Sequence, residues 1–168
     1  MRYERRRLFG LSIFHAINDG SLAVFLGALP VIRVAFGLSL IEIGTVLSVG
    51  LLATVITQFP FGYLADRSLV RPVLVAGIFS IAAIDFLFLG AANYWHLLVY
   101  YTMLRAAARV YHPASFSTIF RSSSHRPSEM GFQSAFGDAS LAFALVSTGF
   151  ISESYGWHVP FLVWGMAG

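Results

Sequence analysis

The stretch LRAAARVYHPASF, residues 104–116, decides how this chain is read. It lies in an apolar run long enough to cross a membrane, yet it carries Arg105, Arg109, His112 and Pro113. A charged side chain at the centre of a bilayer costs about 2.5–3.5 kcal/mol on insertion scales, so such groups are retained for a role. If the run is a span, its charges must face a cavity or other helices.

Composition makes the span reading the strong one. Of 168 residues, 57% are hydrophobic and 11% charged, against about a quarter charged in soluble domains. All 11 basic residues are arginine and are spread between apolar runs. That argues against nucleic-acid binding, which needs a basic, aromatic-interleaved patch. With no cysteine, disulfides and thiolate metal sites are excluded. The basic opening MRYERRRLFGLSIF continues as apolar sequence without a small-residue cleavage site, so it reads as a retained first helix.

A crossing helix needs about 20 apolar residues. The expected spans are 8–36, 40–64, 72–92, 94–120 and 130–153, with a sixth from 157 that breaks off at Gly168. The chain is thus expected to be an all-α polytopic membrane protein and a fragment of a longer one. Its connectors are too short for a soluble domain. With the N-terminus in the cytoplasm, Arg2, Arg5, Arg6, Arg7, Arg67, Arg71, Arg121 and Arg126 lie inside and Arg33 outside. That asymmetry follows the positive-inside rule, with Tyr94, Trp95, Tyr155 and Trp157 as the outer aromatic belt. A multi-pass protein of the inner (plasma) membrane is expected.

A shift of 87 residues superposes Glu42, Gly44, Gly50 and Gly62 on Glu129, Gly131, Gly137 and Gly149, and Asp66 on Glu153. The second and fifth spans then share a pattern while crossing in opposite directions, the mark of inverted repeats in secondary transporters. Glycines that only permit close helix packing are the plainer reading.

Ionisable residues within spans are Asp19, Asp85, Arg105, Arg109, His112 and Asp138, beside His15 and Asn18. Helical spacing puts His15, Asn18 and Asp19 on one face of the first span. It puts Tyr101, Arg105, Arg109 and His112 on one face of the fourth, opposite Ala106, Ala107 and Ala108. At about 1.5 Å per residue, Asp19 and Arg109 both lie ~16 Å deep, Asp138 and His112 ~12 Å, and Asp85 and Arg105 ~20 Å. Matched depth suggests these three pairings, either as structural ion pairs or as a substrate or proton site. Pro113 offers no N–H to the Arg109 carbonyl, so a kink belongs there. The sequence has no phosphate loop, H-E-x-x-H or G-x-S-x-G. His96, His125 and His158 fall in separate loops, so an enzyme is not expected and no metal site is read.

The loop GYLADRSLVR resembles the G-x-x-x-D-R-x-G-R-R signature of the major facilitator superfamily through Gly62, Asp66, Arg67 and Arg71, with Leu69 and Val70 departing from it. HAINDG, YHPASF and GFQSAFGDASLAFA resemble segments of fosmidomycin-resistance-type efflux members, although Ala114 replaces their glutamate. YGWHVPF resembles the opening of the superfamily's sixth helix. The resemblance implies the N-terminal six-helix half of an alternating-access carrier, a 3+3 inverted repeat truncated within its sixth helix. It implies proton-coupled efflux of a small anionic or amphiphilic compound, with uptake of an organic anion or a non-transporting scaffold as alternatives. No cofactor is expected beyond the proton gradient. The partners expected are the small-molecule substrate, membrane lipid and a C-terminal six-helix half. The cavity would be lined by His15, Asn18, Asp19, Tyr101, Arg105, Arg109, His112 and Asp138. Gly62, Asp66, Arg67 and Arg71 would form a cytoplasmic gating loop.

Overall fold

The computed structural model describes the backbone of residues 2–66, 70–122 and 126–168. Among the described residues there are seven helices and no strand: α1 (Arg2–Phe36), α2 (Leu40–Asp66), α3 (Val70–Phe88), α4 (Tyr94–Ala108), α5 (Tyr111–Ser122), α6 (Arg126–Tyr155) and α7 (His158–Ala167). Four segments, Arg6–Phe36, Leu40–Ala65, Val70–Phe88 and Pro127–Tyr155, are long and apolar enough to cross a membrane.

Helix ends fall at local stop and start signals. Gly37 takes φ +62°, a left-handed conformation that glycine adopts without a Cβ penalty, and ends α1. Ser39 and Glu42 then form a capping box for α2. The Glu42 carboxylate accepts from the Ser39 N–H at 2.8 Å, and the Ser39 hydroxyl accepts from the Glu42 N–H at 3.2 Å. Asn93 caps α4 by accepting the His96 N–H at 3.1 Å. The third helix stops at Phe88 rather than near 92, because Leu89, Gly90 and Ala91 donate to carbonyls three residues back and tighten the chain into turns.

The fourth crossing is two helices, not one span over 94–120. The break lies at Arg109 and Val110, whose N–H groups donate to the carbonyls of Ala106 and Ala107, each at 3.2 Å. Pro113 cannot supply the N–H that would carry the α-helical ladder through the Arg109 carbonyl. The interruption therefore appears as a tightened turn four residues before the proline. Gly77 of α3 accommodates it: a Cβ there would meet Val110 Cγ1 at 2.9 Å.

α1 packs chiefly on α6, and α2 chiefly on α4. The central repeat glycines explain both pairings. A Cβ on Gly50 would meet the Tyr101 ring at 2.6 Å and Arg105 Cγ at 3.0 Å. A Cβ on Gly137 would meet His15 Nε2 at 2.7 Å and Asp19 Oδ2 at 2.9 Å. Each glycine thus receives an i, i+4 pair from the partner helix, as a 3+3 inverted repeat requires. Gly44, Gly62, Gly131 and Gly149 have no atom within 4 Å of such a Cβ. The close-packing reading therefore fails for Gly62, which instead borders an open groove.

Aromatic stacks hold the Trp157 end together. Phe88 stacks on Phe161 and Phe25 on Tyr101, each with centroids 4.2 Å apart. In lipid such contacts act through shape and dispersion, since the surroundings are as apolar as the core. α2 and α6 are the least covered long helices, 17% buried over their most apolar windows against 39% for α1 and α3.

Candidate functional site

The site is built on Asp19 of α1. His15 lies one turn earlier on the same face, with Nε2 3.1 Å from Asp19 Oδ2. Asn18 is fully buried and donates from Nδ2 to Asp19 Oδ1 at 2.8 Å. From α5, His112 Nε2 lies 3.9 Å from the same Oδ1. α6 closes the back of the cluster. His15 Nδ1 is 2.9 Å from the Gln133 backbone carbonyl, and since a carbonyl only accepts, that nitrogen carries a proton. The Gln133 side chain ties α6 to α5 by accepting from the Ser115 hydroxyl at 2.7 Å. Tyr111 stacks on the His15 ring with centroids 4.8 Å apart, and its hydroxyl donates to the Leu11 carbonyl at 2.8 Å. The His112 ring meets His15 edge-on at 5.2 Å. Neighbours from three helices, α1, α5 and α6, thus fix both imidazoles.

Beside the cluster, α2 and the α4–α5 break enclose an open groove of about 740 Å³. Gln58, Gly62, Arg109, His112, Pro113 and Phe116 are among its lining residues. Arg109 is half-buried and near enough to Asp19 and Arg105 to feel both charges. Its Nε has no hydrogen-bond partner. Arg105 is held one turn away, donating from Nε to the Thr54 hydroxyl of α2 at 3.1 Å. The groove therefore has a cationic wall and, through His112, touches the Asp19 cluster.

The three pairings inferred from depth are replaced. Asp19 is engaged by His15, Asn18 and His112, the last brought there because the break re-phases α5 relative to α4, while Arg109 lines the groove. Asp138 is exposed, because the adjacent Gly137 is the residue that faces α1. One residue of rotation, about 100°, removes Asp138 from His112. Asp85 is fully buried on α3 near Ser21, and neither carboxylate oxygen makes a hydrogen bond. Arg105 goes to Thr54 instead. Tyr101 is core, 3% exposed against Phe25, rather than cavity wall. Of the gating loop, Arg71 is exposed, while Arg67 and the Asp66 side chain lie outside the described residues. Sequence reasoning passed over Gln133, Ser115 and Thr54, which carry no charge to mark them. Gly137 stood in the repeat, but its place against Asp19 did not follow from spacing.

Membrane-length helices around a polar cluster and a charged groove are the architecture of a polytopic membrane protein. The chain belongs to the Major Facilitator Superfamily, whose family model matches residues 11–168. A search of curated proteins finds no match.

Proposed function

We propose that this chain is the N-terminal half of a proton-coupled secondary transporter that exports a small anionic or amphiphilic compound by alternating access. This is the finer reading carried by its resemblance to fosmidomycin-resistance-type members. One observation supports it above the others: the Asp19 carboxylate is flanked by two imidazoles and adjoins a groove lined by Arg109, whose Nε is buried without a hydrogen-bond partner. Asp19 takes up and releases the proton, with His15 and His112 assisting. Arg109 attracts the anionic part of the substrate, and Arg105 adds positive potential from its seat on Thr54. Asp66, Arg67 and Arg71 stabilise one conformational state from the cytoplasmic side of the inner membrane. The C-terminal six-helix half completes the cavity across the poorly covered α2 and α6 faces.

The test is Arg109→Ala in the full-length protein, scored by growth on a panel of anionic and amphiphilic inhibitors and by protein level in the membrane. Lost resistance at normal protein level is the expected result. Unchanged resistance to every compound that the parent exports would remove Arg109 from the pathway.

A further inference from the structure

We infer that His15, Asp19 and His112 form a binding site for one divalent transition-metal ion. This deepens the transport reading, because a metal on these side chains would compete with the proton for the same lone pairs. Binding itself can be measured whether or not transport occurs.

The donor set carries the inference. Two imidazole nitrogens and a carboxylate oxygen, all within 4.8 Å of one another, form the one such group among the described residues. His15 is prepared as a ligand. Its Nδ1 proton is committed to the Gln133 carbonyl at 2.9 Å, which leaves Nε2 to face Asp19 Oδ2 at 3.1 Å. A neutral imidazole would then direct a lone pair at a carboxylate lone pair, so a cation must lie between them, either a proton or a metal. Histidine ligands are characteristically oriented by a backbone carbonyl or carboxylate on the second ring nitrogen.

The distances fit. A tetrahedral zinc-like ion lies about 2.0–2.1 Å from nitrogen and oxygen ligands, which sets neighbouring ligand atoms about 3.3 Å apart. His15 Nε2 lies 3.1 Å from Asp19 Oδ2 and His112 Nε2 lies 3.9 Å from Asp19 Oδ1, so the two imidazoles face the two oxygens of one carboxylate, with all three donors within 4.8 Å of one another. Binding would therefore draw in the His112 ring, which borders the open groove, together with a turn of the Asp19 carboxylate. Gly137 makes the space, since a Cβ there would lie 2.7 Å from His15 Nε2. Arg109 opposes a bare cation, so the positions left for exchangeable ligands favour anions. The cargo class is therefore a metal ion complexed by a carboxylate or phosphate compound.

The test is calorimetric titration of the purified full-length protein with Zn2+ alone, supported by the visible spectrum with Co2+. One equivalent should bind, and the Co2+ spectrum should show nitrogen and oxygen ligation of low symmetry. His112→Ala and Asp19→Asn should each weaken binding more than about 100-fold, beyond the roughly 10–100-fold that loss of an orienting partner costs. Gly137→Ala should weaken it with all three ligands retained, and Arg109→Gln should strengthen it. Replacing the peripheral His96 and His158 with alanine should change nothing. Thermal unfolding of each variant separates lost ligation from lost fold, and the Arg109→Gln gain cannot arise from misfolding. No stoichiometric binding by the parent, or binding unchanged by His112→Ala, would overturn the site while leaving proton-coupled transport untouched.

Discussion

Asp19→Asn is expected to reduce proton-coupled transport to background while leaving the protein assembled in the membrane. Asparagine has the same shape and keeps an oxygen for the Asn18 amide, which donates to Asp19 at 2.8 Å. What it lacks is an ionisable group. The lost charge-assisted hydrogen bonds cost at most about 1.5–3 kcal/mol each. The burial of His15 and Asn18 against α6 and the rest of α1 is unaffected. Asp85 cannot substitute, because it is fully buried away from the groove. The measurement is acidification of vesicles reported by a pH-sensitive dye during export, with thermal unfolding alongside. Retained coupling would show that the proton is carried elsewhere.

Gly27→Val is expected to have the largest effect on stability. α1 and α6 cross so closely at this point that a Cβ on Gly27 would meet the Leu145 backbone carbonyl at 2.9 Å and Thr148 Cβ at 2.9 Å. A carbonyl in the facing helix cannot swing aside as a side-chain tip can. The helices must separate, at a cost of about 1–3 kcal/mol or more from overpacking. The seam also carries the Ser140 hydroxyl, which donates to the Ala16 carbonyl at 2.6 Å. Separation at Gly27 therefore propagates toward His15 and Asp19. Gly44→Val is the control, since its site on α2 has nothing within 4 Å. Unfolding in detergent should show a clear loss for Gly27→Val and little change for Gly44→Val. Equal stability of the two would contradict the seam.

The long helices were legible in the sequence because apolar runs near membrane length are dense and helix ends are marked by Gly37, Ser39, Asn93 and Gly156. The face carrying His15, Asn18 and Asp19 was legible too, since an unbroken helix preserves its spacing. Partners across helices were not. Depth along each helix gives one coordinate, and rotation supplies the other. The break at Arg109 and Val110 altered that rotation for everything after it. Extrapolating one face from Tyr101 past the break therefore misplaced His112, which lies at Asp19, whereas Tyr101 and Arg105 stay together against Gly50 of α2. Uncharged partners such as Gln133 and Ser115 give no signal in a sequence rich in small and polar residues. The repeat glycines did carry information, but only the central member of each triplet sits at a crossing.

The most direct measurement of alternating access through the groove places one cysteine in these 168 residues, which have none of their own, with any cysteine elsewhere in the protein replaced by serine. Phe116 lines the groove, with its ring 6.3 Å from that of His112. Phe116→Cys in the full-length protein should react with a small, charged, membrane-impermeant thiol reagent, and the rate from a given side should change when the pH gradient is reversed. Phe79→Cys, on an exposed face of α3 outside the groove, should stay unreactive under both gradients. A Phe116→Cys rate that is identical from both sides and indifferent to the gradient would contradict the alternating-access account.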